Sequence, residues 1–303
     1  MISSILAPLL VCPRCRGPLA AEPRSGEAQL RCAACAVAFP VRGEIPRMTD
    51  GAESRDEAMQ AEHTAQGHAH AIYMDPTFIM NDWERAVLPR LADWLGDASG
   101  ATLDIGCGVG KLGKALTTIG RASALIGTDF HGTLLEEVGD GYAGLVQADV
   151  HHLPFKDGAF AAAITTNALH HFPDPIVAMR EIARILQPGG VLVTYDPRYI
   201  TPLERLKKML RKNDVAFTKD HKAFRIDEYR DLLGSSGLQV TDVRTVDPLG
   251  PLLATGLDYL KIGKLGVALP IAQALAKMDG AIGPNPLGLM LEARAVMPGA
   301  RPA

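Results

Sequence analysis

The sequence predicts an α/β protein: an open Rossmann-like sheet with helices on both faces, preceded by a small cysteine-held unit. Three observations predict it. Two Cys-x-x-Cys pairs, Cys12/Cys15 and Cys32/Cys35, stand within the first fifty residues. A short apolar run, Thr102 to Ile105, enters a glycine-rich turn and then an amphipathic stretch, Lys111 to Thr118. Acids close three successive strand-like runs, at Asp104, Asp129 and Asp149. Open α/β sheets hold their ligands beyond the carboxyl ends of the strands, which is where these acids would gather.

Sixteen residues separate Cys15 from Cys32, a spacing that suits a zinc ribbon. Four thiolates complete a tetrahedral Zn²⁺ shell and leave no open position, so Cys12, Cys15, Cys32 and Cys35 form a structural site. A unit of about fifty residues has little core of its own, and metal binding adds folding energy. Small and turn-forming residues flank both knuckles. The run FPVRGEIPRM then reads as a short strand, a turn at Arg42-Gly43 and an exit strand. This segment, roughly residues 5–50, resembles a small zinc-ribbon family through its CPxC, CxxC and FPVRGEIP pieces. That family includes the activator subunit of eukaryotic tRNA and protein methyltransferases. The resemblance implies a module that contacts a partner or presents a substrate.

The chain has 303 residues, 47% hydrophobic and 21% charged, with net charge −3. That suits one large domain plus a small one, and gives no global attraction to nucleic acid or anionic membrane. The apolar stretch Leu265 to Ala276 is too short to span a bilayer and contains Pro270. No basic residue precedes the run Ile5 to Val11, so a secretory signal is not expected and a cytoplasmic location is. The expected organisation is a ribbon over residues 1–50, a linker and lid region over 51–80, and the main domain over 81–303. The linker holds His63, His68 and His70 without Cys or carboxylate partners at fixed spacing. Helical spacing of apolar residues predicts a helix from Phe78 to Leu95.

Gly106, Gly108 and Gly110 alternate after Asp104, with Cys107 between them. Glycines there let the backbone approach a ligand, and the following helix start presents free N–H groups. Gly108, Gly110 and Gly113 also spell the GxGxxG of dinucleotide enzymes, with Asp129 at a suitable distance for a ribose hydroxyl. In that motif the first glycine leaves the strand directly. Here that place belongs to Gly106, and Asp104 suits the amino group of an amino-acid tail better than a pyrophosphate. Asp129 closes a second strand, from Ala124, and can accept from ribose hydroxyls. Asp149 closes a third, from Leu145, and suits an adenine amino group. Any single Asp could equally be a cap.

From about residue 100 to 200 the chain resembles the class I methyltransferases related to ubiquinone and menaquinone biosynthesis enzymes. The pieces that carry the resemblance are LDIGCGVGK, GTDF, QADVHHLPFKDGAFAAAITTNALHHFPDP and EIARILQPGGVLVTYDP. Ala161 stands where that family usually has Asp. The resemblance implies S-adenosylmethionine as cofactor. It puts Asp104, Gly106, Gly108 and Gly110 at the methionine part, with Cys107 beside them. Asp129 and Phe130 fall at the ribose, Asp149 and Val150 at the adenine, and Asn167 beside the methyl. It also implies a seven-stranded sheet. The fourth strand runs from Ala162 to Thr166, and the fifth from Val191 to Tyr195 after a turn at Pro188-Gly189-Gly190. The sixth runs from Leu238 to Val246, and the seventh, antiparallel, from Leu289 to Met297.

Methyl displacement from a sulfonium needs alignment, and a base only if the acceptor is protonated. The resemblance places Asn167, His170 and His171 beside the methyl, and either histidine can titrate near neutrality. The basic insertion 198–225 offers His221 and a place for an anionic substrate group. The apolar insertion 247–288 can cap a pocket, make a homodimer or protein contact, touch a membrane surface, or simply pack on the core. The expected substrate is a small metabolite with an apolar body. An rRNA or tRNA methyltransferase is the alternative, with the ribbon on RNA. Slight acidity, 5% aromatics and TTNA in place of an Asn/Asp-Pro-Pro-Tyr/Phe motif count against it. A cofactor-holding binding module and an NAD-dependent enzyme are further alternatives.

Overall fold

The computed structural model describes residues 2–22, 28–49, 77–96, 99–118, 124–200 and 223–299. The linker histidines His63, His68 and His70, most of the basic insertion, and His221 lie outside them.

The ribbon is a four-stranded antiparallel meander: β1 (Leu19–Glu22), β2 (Ala28–Cys32), β3 (Ala38–Arg42) and β4 (Ile45–Pro46). Gly43, at φ +62°, lets the chain reverse between β3 and β4. The main domain then runs α1 (Ile79–Leu95), β5 (Thr102–Ile105), α2 (Lys111–Thr118), β6 (Leu125–Asp129), α3 (Gly132–Leu135) and β7 (Gly144–Gln147). It continues through β8 (Phe160–Thr166), α4 (Pro175–Ile185), β9 (Leu186–Pro197), α5 (Ile226–Ser235) and β10 (Gln239–Val246). The insertion forms α6 (Gly250–Tyr259) and α7 (Ala268–Ile282), and β11 (Met290–Val296) closes the fold.

The sheet order is β10-β11-β9-β8-β5-β6-β7, with β11 antiparallel to both neighbours and the other pairs parallel. Helices cover both faces of the central parallel strands, whose middles are mostly apolar, whereas the edge strand β10 is polar and partly exposed. Leu103, Ala163 and Leu192 point to one buried cluster with α4 and α5. Ala162, Ile164, Val191 and Val193 point to the other, with α1, α2 and α7. The expected turn at Pro188-Gly189-Gly190 lies instead within β9. Pairing steps from Phe160–Leu186 to Ala162–Val191, so the extra residues bulge and Gly189 takes φ +81°.

The ribbon shares the main core. Leu6, Leu10, Cys12, Phe39, Val41 and Met48 belong to the same buried cluster as Ile126, Val146 and Phe155. Arg47 pairs in parallel with Gln147, and Met48 N–H donates to the Gln147 carbonyl at 2.8 Å. Leu10 bridges Phe155 on the other side. The ribbon thereby covers the edge of β7, whose unpaired backbone groups would otherwise face solvent. Among the described residues no helix is long and apolar enough to cross a membrane.

Candidate functional site

β5, β6 and β8 lie side by side and end together beside a glycine loop. Gly106, Gly108 and Gly110 take φ of 71°, 52° and 78°, a region costly for other residues. A Cβ on Gly106 would meet the Ala168 Cβ at 2.5 Å, while none of the described atoms lies within 4 Å of one built on Gly108. The loop therefore has a crowded side and an open side. Asp129 ties it down: its carboxylate accepts from Gly108 N–H at 2.9 Å and from His131 N–H at 2.8 Å. Buried Cys107 keeps its proton, because burial and then Asp104 and Asp129 push its thiol up.

Asp104 is fully buried beneath the loop. Its Oδ2 accepts from the Tyr142 hydroxyl at 2.5 Å, and that hydroxyl accepts from Gly113 N–H. Burial pushes the Asp104 carboxyl up to about 7, against the Tyr142 bond, and Asp129 adds to the rise. The folded chain thus binds more protons here than the unfolded one, and this contribution to stability falls as pH rises from about 4 through about 7. Tyr142→Phe removes a donor to the ionised form. We expect it to cost about 1–3 kcal/mol, and more at pH 8 than at pH 5. Denaturant titrations at the two pH values check this; equal losses would remove Asp104 as the cause.

Asp149 caps the 3-10 turn Val150–His152 and accepts from His151 N–H and Nδ1 at 2.9 and 2.6 Å. Burial alone would raise its carboxyl, but the His151 bonds hold it below the usual range. Phe130 meets His131 edge-on, and its carbonyl accepts from the Gln147 side chain at 2.9 Å.

Asn167 sits just past β8 at φ +51°, with its N–H on the Tyr195 carbonyl. Its side chain donates to Glu84 of α1 at 3.3 Å. Glu84 also accepts from Lys111, which reaches Asn81 as well. This half-buried pair beside the glycine loop had no signature in the sequence. His170 and His171 follow in a short 3-10 turn, their rings 4.1 Å apart. His170 is 5% exposed, and its Nδ1 lies 2.9 Å from Asp196, whose other oxygen accepts from Tyr229 at 2.9 Å. Burial pushes the Asp196 carboxyl up to about 8, against the Tyr229 bond. A signal for Asp196 was present: TYDP sets an acid at the end of the fifth strand, as acids stand at the ends of the first three. Tyr229 lies far along the chain and carried no signal.

In the ribbon the four cysteine sulfurs lie within 4.8 Å of one another. Cys12 and Cys35 are 3.7 Å apart, and Cys15 and Cys32 3.4 Å. Zn–S bonds of about 2.3 Å put tetrahedral sulfurs about 3.8 Å apart, so the set fits zinc. Backbone N–H groups of Cys35 and Ala34 lower the Cys32 thiol to about 6, while burial pushes Cys12 up to about 12. The glycine loop, open above Gly108 and beside the buried Asp129 carboxylate, leaves room for a bound cofactor.

Residues 103–194 match the family model described as Methyltransferase domain, and residues 3–44 match Trm112p-like protein. "Probable tRNA methyltransferase 9B" of Mus musculus is 31% identical over 49% of this chain and 32% of its own length. The chain spans about a third of the length of this and the next curated relatives. "Methyltransferase GfsG" of Streptomyces halstedii is 28% identical over 71% of this chain and 83% of its own. A solved complex of the Haloferax volcanii Trm112 methyltransferase activator aligns with TM-score 0.53 at 18% identity, covering 82% of this chain and 99% of that one. With the DxGxGxG register, these matches set aside the dinucleotide reading of GxGxxG. One chain thus joins a segment matching the Trm112p-like family, with a zinc-ribbon set of cysteines, to a segment matching the methyltransferase-domain family on a seven-stranded Rossmann-like methyltransferase sheet.

Proposed function

We propose that this chain transfers a methyl group to a small metabolite with an apolar body, in a cytoplasmic setting. S-Adenosylmethionine supplies the reactive methyl on its sulfonium; the chain supplies position and proton handling. What supports the substrate class is an open surface groove of about 500 Å³ at the N-terminal ends of α4 and α5. Ile176, Tyr199, Phe224 and Leu232 line it, with Arg225 and Glu228 also in its wall. The Phe224 ring lies 5.2 Å from that of Tyr229, which bonds Asp196 beside His170. Charged wall groups within an apolar lining suit a metabolite with one polar end.

Asp129 would hold the ribose, Asp149 and the Val150 N–H the adenine, and the glycine loop the methionine tail. Glu84 and Lys111 form a carboxylate–ammonium pair that can exchange partners with the tail's ammonium and carboxylate. Asp196 fixes the His170 ring, and the less buried His171, tilted against it, would face the acceptor. His170→Ala and His171→Ala are expected to slow turnover by roughly 10²–10⁴-fold, the usual range for lost acid–base assistance. Affinity for S-adenosylhomocysteine should stay unchanged in both. Normal rates in both variants would retire the base role.

A specific observation favours a second reading. The mouse relative is named as a tRNA methyltransferase, and the ribbon is Trm112p-like. The Haloferax activator belongs to a complex; here both modules share one chain. On either reading the ribbon would act on its own methyltransferase domain, through Arg47 and Met48 at β7.

The test has two steps. Calorimetry should show micromolar binding of S-adenosylhomocysteine and none of NAD; the reverse would refute the cofactor. The chain is then given methyl-labelled cofactor with bulk tRNA or with an extract of small metabolites. Label in the solvent-extractable pool supports the metabolite reading, and label in tRNA replaces it with the second.

A further inference from the structure

The insertion between β10 and β11 is built unlike the rest of the surface. Among the described residues eleven large hydrophobics are exposed, and nine of them fall between Leu252 and Leu287. They gather most closely at the tip joining α6 to α7. There Leu260 is 68% exposed, Leu265 75%, Leu269 52% and Val267 36%. Single exposed leucines need no explanation, but a cluster of this kind does.

The charges of this insertion are segregated by sign. Between residues 248 and 288 the only acids are Asp258 and Asp279. Both are taken up by backbone caps. Asp258 accepts from Ile79 and Met80 N–H at 2.7 and 2.9 Å, and Asp279 from Leu249 and Gly250 N–H at 3.0 and 2.8 Å. The bases of the same stretch, Lys261, Lys264 and Lys277, are all exposed. Among the described residues of the insertion, the outer face is therefore apolar and cationic, with both of its acids turned to backbone N–H groups.

The tip is also fixed in shape. Lys261 and Gly266 take φ of 57° and 74°, and Gly263 presses on the Thr77 carbonyl so closely that a Cβ would sit 1.7 Å from it. The leucines thus project from a braced turn that is tied to the start of α1.

We propose that this tip docks on an anionic lipid bilayer, with Leu260, Leu265, Val267 and Leu269 in the interface and Lys261 and Lys264 at the headgroups. Apolar side chains ringed by lysine match such a surface in both chemistry and charge. A second copy of the chain matches it poorly, because a two-fold contact would set lysines against lysines. The inference rests on this surface alone and does not depend on the proposed substrate.

The test is flotation of the full zinc-loaded chain with vesicles of phosphatidylcholine, with and without a quarter of phosphatidylglycerol. The chain should float with the anionic vesicles, and less so as salt rises. Leu260→Asp with Leu265→Asp should abolish flotation on both vesicle types. Lys261→Glu with Lys264→Glu should lower binding to anionic vesicles by at least roughly 20-fold, about fivefold per lysine. Binding of S-adenosylhomocysteine at the parental affinity shows that each variant is folded. Three results would overturn the proposal. One is no flotation of the parent chain. The second is flotation that ignores the leucine changes, the mark of a general polyanion site. The third is a dimer in sedimentation that Leu265→Asp dissolves while vesicles fail to bind, which assigns the face to a second copy.

Discussion

Stripping zinc from this chain should destabilise the methyltransferase domain and not just the ribbon. Purified, unoxidised protein should hold one zinc per chain, and chelation or Cys32→Ser should lower its melting temperature by on the order of 10 °C or more. The reason is the shared core. Leu6 lies against Gly144 of β7, and Cys12, Cys32, Phe39 and Met48 are buried with Ile126 and Val146. Losing the metal unties the knuckles that hold these side chains in place. It also uncovers the edge of β7, where Met48 N–H meets the Gln147 carbonyl. Affinity for S-adenosylhomocysteine should fall at the same time. Gln147 accepts from Arg47 and donates to the Phe130 carbonyl, next to Asp129. Arg47→Ala, which leaves all four cysteines, should reproduce part of the affinity loss while zinc content stays at one. Scanning calorimetry with metal analysis reads the first effect, and an unchanged melting temperature after complete zinc removal would show the ribbon to be a passive attachment.

Asp129→Ala should weaken S-adenosylhomocysteine binding by roughly tenfold to a hundredfold, the effect of losing a charge-assisted hydrogen bond worth about 1.5–3 kcal/mol. Two losses combine here. The carboxylate is the group proposed to accept the ribose hydroxyls, and it also holds the Gly108 and His131 N–H groups. Asp129→Asn keeps only one of these two acceptors and sets an amide NH2 against the other N–H, so it should lower the melting temperature as well as weaken the ligand. Its affinity is therefore read beside its melting temperature. Titration calorimetry gives both affinities, and parental binding in the alanine variant would rule out the ribose assignment.

The strands were legible because a parallel sheet buried on both faces leaves uninterrupted apolar runs, as in Leu125 to Gly127 and Ala162 to Ile164. The order of those runs, each closing on an acid or a polar turn, was enough for the fold once the glycine loop was placed. The break at Pro188-Gly189-Gly190 was read wrongly for a local reason. Pro and two glycines mark a turn in sequence, but β8 pairs with Leu186 and again from Val191, where β11 also joins, so the residues between bulge out of one strand.

Sequence alone determined the covalent pattern of the sites: four cysteines at metal spacing, three glycines after Asp104, and acids at strand ends. Such features are short-range, because the ligand-facing groups of one loop or one knuckle are neighbours in the chain. What only tertiary structure decided joins residues far apart. Arg47 meets Glu136 and Gln147, Glu84 meets Lys111 and Asn167, and His170 meets Asp196 and Tyr229. The tertiary structure also turned Asp104 inward to Tyr142 and Asp149 toward His151, partners that the sequence did not indicate. A carboxylate's environment is set by burial and by the donors packed around it. Those donors come from whichever elements the fold lays alongside, and their distance along the chain leaves no pattern to read.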